Sequence, residues 1–301
     1  MGGTLCFCSL IQGFLALTLY RTIFLSILAE APDPAPLVSD IANACSKCPE
    51  LTGGKGSSLA VLQSVATELQ TFSVPRGFVV TTASYKLLAS SGEFRNIIQE
   101  IERSRARDDS QSTLKDVCIR VAAGIEKLKI PAEVENEISR CLNNFEEETR
   151  FAVRSSALGE DCEDMSAAGQ MATLLGLRTK KKVMGGVLKC WASQFSFTNV
   201  NYKKQYGQPL DVPMAVVVQE MVDASAAGVM FTCDPVTGSP AQITVTANYG
   251  LGEHASSGIL QRALMDTNAW KAFALLASLF LLVTQQPNSF VVLQHQFYHG
   301  V

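Results

Sequence analysis

The chain has 301 residues, of which 47% are apolar and 18% are charged, and its formal net charge is −3. This composition is typical of a globular protein with a sizeable core and excludes an intrinsically disordered chain. Nucleic-acid backbones are bound by clustered Lys and Arg, so the charge balance also argues against a nucleic-acid-binding protein. The one dense basic run, Lys180 to Lys182, is interpreted as a solvated loop.

The cysteines indicate reduced thiols rather than a disulfide framework. There are nine of them at irregular spacing, an odd number in a long chain. Cys45 and Cys48 form a lone C-x-x-C, but a zinc site needs a second ligand pair, and none follows at useful spacing. We therefore expect no metal site among these residues and an intracellular, cytoplasmic protein.

Two apolar segments near the chain ends leave contact with a membrane surface open. Residues 4–28 lack the basic region of a secretory signal and contain Arg21, which is costly at depth in a bilayer. Residues 272–283 are fewer than the roughly 20 that a spanning helix needs. For residues 272–283 a buried or interfacial helix is the favoured interpretation, and membrane association of either segment is the alternative.

The first half of the chain predicts one short strand among helices, after an apolar segment and a Pro-rich linker that end at Pro36. The predicted elements are a glycine-rich turn at 53–58, a helix at 59–69, a strand at 78–81, a helix at 83–90 capped by Thr82, and mostly helical structure over 96–145.

The second half predicts more strands. In chain order they are a strand at 151–153 leading into Arg154-Ser155-Ser156, an acidic loop at 159–169, a helix at 183–197, an apolar strand at 214–221, and strands at 228–232 and 242–246. The apolar run at 214–221 is typical of a strand buried on both faces. Alternating strands and helices predict a mixed α/β (α+β) domain.

Three segments carry residues suited to binding a nucleotide, and each also has a purely structural interpretation. The glycines around Lys55 would let the backbone approach a phosphate at a helix N-terminus, or would simply form a helix-entry turn. Arg154 could bind phosphates through its guanidinium, or its charge could be neutralised by the acidic loop. The polar end of the strand at Gln219 and Glu220 suits the edge of an adenine, or is only the end of a core strand.

Taken in order, five blocks resemble one family. They read GGKGSSLAVL, VPRGFVVTTASY, FAVRSSALGEDCEDMSAAGQMATLLGL, MAVVVQEMVDASAAGVMFTCDPVTG and ANYGLGEHASSG, between about Leu51 and Gly258. The chain thereby resembles the AMP/ATP-binding domain of the phosphoenolpyruvate synthase, pyruvate phosphate dikinase and rifampicin phosphotransferase family. The resemblance implies an ATP-grasp-like fold in two subdomains, about 51–145 and 146–258, followed by a divergent apolar tail at 259–301.

The resemblance also implies binding residues. Those that match the family's nucleotide-binding positions are Lys55 and Arg154 for the phosphates, Gly169 and Thr173 lining the nucleotide, and Gln219 and Glu220 on the adenine side. Arg76 stands where relatives commonly have a second Pro, so the resemblance gives it no role. No residue of this chain is predicted to be catalytic or a metal ligand.

The later blocks of the family are not found in this sequence. Relatives continue to strands reading like D-I-E-W and Q-S-R-P, which supply Mg²⁺ ligands, and to a phosphohistidine domain and a phosphoenolpyruvate-binding barrel. Enzyme activity is therefore left open, and we expect nucleotide binding without a complete catalytic cycle. The alternative is a non-enzymatic module, which could be membrane-associated and could compete with a full-length relative for nucleotide or a partner.

Overall fold

The computed structural model describes residues 32–70, 72–107, 110–158 and 172–224, and four strands beyond them. Both apolar segments (4–28 and 272–283) and the acidic loop at 159–169 lie outside the described residues. Within the described part of the chain, no helix is long and apolar enough to cross a membrane.

The chain divides into two compact units, 1–221 and 222–301. The strands of the first unit are β1 (Val38–Asp40), β2 (Gly77–Val80), β3 (Phe151–Ser156), β4 (Thr173–Leu177) and β5 (Ala215–Glu220). They form a sheet of order β1-β2-β5-β3-β4, in which every neighbouring pair is antiparallel. The sheet thus takes strands from both sides of residue 145.

The helices of the first unit begin with a 3₁₀ turn at Ala44–Lys47. They continue with α1 (Pro49–Leu69), α2 (Thr82–Ala89), α3 (Gly92–Ala106), α4 (Gln111–Ile125), α5 (Ala132–Leu142), α6 (Lys180–Ser193) and α7 (Phe197–Gln205). Helices α3, α4 and α5 confirm the helical prediction for 96–145. The expectation of a mixed helix and sheet domain is confirmed as well.

Three predicted helix starts were wrong. Helix α6 begins at Lys180, and the Thr179 hydroxyl caps it by accepting from the Lys182 N–H, so the run Lys180 to Lys182 is the first turn of a helix and not a loop. Helix α1 begins at Pro49, well before the predicted start at Leu59, because Pro is favoured in the first turn of a helix. Gly53 has non-helical angles (φ 69°, ψ 177°), so α1 consists of two helical segments joined at a kink at Gly53. Helix α2 begins at Thr82 with Thr81 as its N-cap residue. The Thr81 hydroxyl donates to the carbonyls of Pro36 and Leu37, at 2.6 and 3.1 Å, and so ties this helix start to the segment before β1.

The two faces of this sheet meet different helices. Alternate residues of a strand point to opposite faces. Val153, Val216 and Val218 belong to the larger core, which the helices α2 to α7 complete. Ala215 and Val217 point the other way, into a small cluster against which α1 packs. The central position of β5, with a helix layer on each face, explains its apolar sequence.

A buried polar network joins α2, α6 and α7 at one side of the larger core. The Gln194 Nε2 donates to the Tyr85 hydroxyl at 2.8 Å, and that hydroxyl donates to Asp211. The Lys203 ammonium donates to the Leu210 carbonyl at 2.8 Å. Burial, followed by the Asp211 charge, raises the pKa of Tyr85.

Lys203 gives this network a pH dependence. Burial lowers the pKa of Lys203 to about 8, against the attraction of Asp211, whereas an unfolded lysine titrates near pH 10.4. Between these values the unfolded chain holds a proton that the native state has released. Stability therefore rises with pH, by at most about 1.4 kcal/mol per pH unit.

We expect urea unfolding to show wild type gaining stability relative to Lys203→Met between pH 8 and pH 10. Other titrating groups are common to both proteins and cancel in this difference. Parallel stability curves for the two proteins across that interval would contradict the prediction.

The second unit contains β6 (Ala226–Phe231), β7 (Gln242–Tyr249), β8 (Gln261–Asp266) and β9 (Phe290–Leu293). They form a sheet of order β8-β7-β6-β9, in which β6 and β9 are parallel and the other pairs antiparallel. β6 and β7 confirm the predicted strands at 228–232 and 242–246. β8 and β9 lie where the sequence predicted only a tail.

Candidate functional site

Three of the predicted binding residues share one face of the five-stranded sheet. Arg154 follows Val153 along β3, so its side chain leaves on the face against which α1 packs. Thr173 pairs with Arg154 across β3 and β4 and is exposed on the same face. Gln219 follows Val218 along β5 and also lies on this face. The α1 face therefore collects Arg154, Thr173 and Gln219.

Arg154 is a half-buried cation, and no described carboxylate forms an ion pair with it. One Nη2–H donates to the Gln219 Oε1. The Nε atom is buried and has no hydrogen-bond partner. Loss of solvent lowers the pKa of the guanidinium, but an arginine is still charged at neutral pH. A buried charge of this kind gains stability from an added anion.

The Gln219 side chain links Arg154 to the turn before β2. It is 4% exposed. Its Nε2 donates to the Pro75 carbonyl at 3.0 Å, while its Oε1 accepts from Arg154. The Pro75 contact could not be predicted from the sequence, because every residue has a backbone carbonyl acceptor whatever its side chain.

The glycine segment of α1 is attached to the end of β3. The N–H of Gly54 donates to the Ala157 carbonyl and that of Gly56 to the Ser156 Oγ, both at 3.0 Å. The Ser156 hydroxyl in turn donates to the Thr52 carbonyl at 2.7 Å. These glycines allow the backbone of α1 to approach β3 closely. The N–H groups of Gly54 and Gly56, which the sequence suggested for phosphate, are used inside the protein.

This attachment places the backbone of Lys55 beside the end of β3. Lys55 is half-buried and lies between Gly54 and Gly56, which bond to the residues that end β3. Ser156 is two residues beyond Arg154 on the same face, a separation of about 7 Å along a strand. The helix and strand contacts thus bring the predicted lysine and the predicted arginine to one region of the sheet.

Glu220 lies on the opposite face of the sheet from Gln219. Its carboxylate accepts from Arg76 Nε at 3.3 Å, and its N–H donates to the Arg76 carbonyl at 2.8 Å. The Arg76 guanidinium is 4.8 Å from the centre of the Phe145 ring. Consecutive residues of a strand cannot direct both side chains to one ligand on one face. The two-residue period of a strand is enough to predict this separation from the sequence.

Gly169, the remaining predicted binding residue, lies outside the described residues. Within the described ranges, no group of three or more His, Cys, Asp and Glu side chains could hold a metal ion. Cys48 is buried, and burial is the main cause that raises the pKa of its thiol. Cys45 contacts the Ser39 hydroxyl at 3.1 Å.

The arrangement is suited to holding an anion with several oxygens. Arg154 offers a charged, directional donor that lacks a compensating carboxylate among the described residues. Thr173 adds a hydroxyl beside it on the exposed edge of the sheet, and α1, which carries Lys55, packs on the same face. Paired Lys and Arg groups with a hydroxyl are the usual protein ligands of phosphate.

Comparison with known families agrees with this chemistry. Residues 49–267 match the family described as pyruvate phosphate dikinase, AMP/ATP-binding domain. The match covers the whole of α1, all of β2 to β5 and the described strands β6 to β8.

Curated relatives are similar over the same part of the chain. The rifampicin phosphotransferase of Streptomyces sviceus is 36% identical over 212 residues, which are 70% of this chain and 24% of that protein. The rifampicin phosphotransferase of Bacillus subtilis is 34% identical with the same coverage. A probable phosphoenolpyruvate synthase of Methanothermobacter thermautotrophicus is 34% identical over 69% of this chain and 30% of its own length. The chain therefore spans about a quarter to a third of the length of these relatives.

Proposed function

This chain belongs to the family of pyruvate phosphate dikinase AMP/ATP-binding domains, and from that premise we propose that it binds ATP with the phosphates at Arg154. The observation that carries the proposal is the buried Nε of Arg154 without a partner. Folding removes this half-buried cation from part of its water and places it beside a neutral amide. A phosphate oxygen would satisfy the orphaned N–H and compensate the charge in one step.

Two further residues complete the proposed phosphate site. Lys55 lies on α1 and would supply a second cation for the terminal phosphates. Thr173 supplies a hydroxyl from the cross-strand position next to Arg154. Gly169 belongs to the same segment as Thr173 and, by the resemblance, lies against the nucleotide.

The base is proposed to lie at the end of β5. Gln219 and Glu220 end this strand, where backbone groups can pair with the edge of an adenine. Because their side chains leave on opposite faces, we assign the adenine-side role to Glu220 or to the backbone of this pair. The fold is proposed to be ATP-grasp-like, in two subdomains, as the resemblance implies.

Mg²⁺ is proposed to enter this site as its complex with ATP. The polyphosphate oxygens are hard ligands that Mg²⁺ prefers, and it commonly keeps several waters in such complexes. In intact relatives, ATP at such a site is proposed to phosphorylate a histidine, from which the phosphoryl group passes to a small molecule; for this chain alone we propose nucleotide binding without that complete cycle. Positioning and charge neutralisation by residues such as Lys55 and Arg154 would serve that reaction.

Isothermal titration calorimetry tests the proposal. We expect saturable ATP binding to the wild-type chain, both with and without Mg²⁺, and weaker binding to Lys55→Ala. The removed charge contact corresponds to roughly 1.5 kcal/mol, or about a tenfold loss of affinity. Lys181→Ala, which removes the same charge from the helix α6, is the control and should bind as wild type does. ATP affinity equal in both variants would contradict the role of Lys55.

A further inference from the structure

The orientation of the Gln219 amide is fixed by its two neighbours. The Pro75 carbonyl can only accept, so the Nε2 group must face it, at 3.0 Å. The Arg154 guanidinium can only donate, so the Oε1 atom must face Arg154. Either contact alone requires the same orientation of the amide group. The side chain is 4% exposed, so water does not compete for either bond.

We propose that Gln219 is a positioning residue for Arg154, holding the guanidinium in place for phosphate rather than contacting the base. The inference rests on the proposed phosphate site. It assigns Gln219 a different task from the adenine-side role that the resemblance implies. The Pro75 carbonyl, in the turn before β2, accepts from the Gln219 amide, and that amide accepts from Arg154.

The register of the strands makes this contact direct. Gln219 lies opposite Ala152 across β5 and β3, and Arg154 is two residues further along β3 on the same face. Such diagonal neighbours are about 7–8 Å apart at Cα, a distance that two long side chains bridge easily. Gln219 therefore contacts Arg154 without any rearrangement of the sheet.

The choice of an amide is the second part of the argument. A carboxylate at this position would form a buried ion pair with Arg154 and would compete with any phosphate. The amide oxygen accepts a hydrogen bond and leaves the positive charge uncompensated. Gln219 thus orients Arg154 while keeping its charge available for an anion.

Another glutamine of the same unit provides a matched control. Gln205 is exposed and ends α7, one of the helices that complete the larger core on the other face of the sheet. Gln205→Met removes the same amide without touching Arg154. It should therefore leave the binding of tripolyphosphate and of ATP unchanged.

Inorganic tripolyphosphate, ATP and adenosine separate a phosphate role from a base role. We expect Gln219→Met to lower the affinities for tripolyphosphate and for ATP by the same factor, about tenfold, and to leave the affinity for adenosine unchanged. Gln219→Glu keeps an acceptor of the same size but adds a charge, and it should weaken tripolyphosphate more than Gln219→Met does. On an Arg154→Ala background, Gln219→Met should have no further effect on tripolyphosphate.

Three results would overturn the inference. Loss of adenosine and ATP binding with tripolyphosphate unaffected would make Gln219 a base contact. An additional loss from Gln219→Met on the Arg154→Ala background would make its role a general structural one. If Arg154→Ala weakens the binding of tripolyphosphate but both Gln219 variants bind it as wild type does, the proposed phosphate site stands and the positioning role of Gln219 is wrong. If wild type and Arg154→Ala bind tripolyphosphate equally, the proposed phosphate site itself fails.

Discussion

Replacing Gly53 with alanine is expected to lower the free energy of unfolding by about 3 kcal/mol or more. Gly53 has φ +69°, and a Cβ there would lie 2.1 Å from the Ser156 carbonyl oxygen. That obstacle is backbone, so it cannot move aside as a flexible side chain would. The substitution must therefore separate α1 from the end of β3. Urea unfolding followed by circular dichroism measures the change.

Gly207→Ala is the matched control for this prediction. Gly207 also has a positive φ, of 62°, but nothing lies within 4 Å of a Cβ built there. The free energy of unfolding of Gly207→Ala should fall only by the cost of a left-handed backbone conformation for a residue with a Cβ, about 1–2 kcal/mol. A loss of stability in Gly53→Ala no greater than that in Gly207→Ala would contradict the close attachment of α1 to β3.

Replacing Arg154 with alanine is expected to weaken ATP binding by roughly 10- to 100-fold, the effect of losing charged hydrogen bonds worth about 1.5–3 kcal/mol. Arg154→Lys should recover only part of the loss. Lysine keeps the charge, but it has neither the Nε donor nor the planar fork that bonds to Gln219 and to a phosphate together. Calorimetric titration with ATP measures both variants.

The control for charge alone is Arg120→Ala. Arg120 is exposed on α4 and is paired with Glu100, so its removal changes the net charge equally. It should leave the ATP affinity unchanged. Full recovery of binding in Arg154→Lys, or equal losses in Arg154→Ala and Arg120→Ala, would contradict a directional role for the guanidinium.

Much of the first unit could be predicted from sequence because its patterns are local. The apolar run of β5 and the helical periodicity of α3 to α5 each specify one element with its buried face. Ile98 and Ile101 are buried on α3, and Val134 and Ile138 on α5, as the spacing indicates. The start of α1 was missed because glycines weaken a helix on average, and the contact that offsets this cost comes from Ser156, 100 positions away from Gly56.

The candidate site was only partly predictable for the same reason. Residue type and resemblance point to Lys55, Arg154 and Thr173, and the sheet places Arg154 and Thr173 side by side. The orphaned Nε of Arg154 and the Pro75 carbonyl behind Gln219 depend on burial and backbone direction, which no residue type reports. β8 and β9 were missed because each is specified by its pairing partner more than by its own sequence.

The most direct measurement of the central claim is the nuclear magnetic resonance signal of the Arg154 Nε–H group during a titration with ATP. The Arg154→Lys variant identifies the signal by its disappearance. We expect the Nε–H proton to move saturably downfield, with the same dissociation constant as calorimetry gives, because a phosphate oxygen becomes its hydrogen-bond partner. Saturable ATP binding that leaves this signal in place would contradict a phosphate site at Arg154.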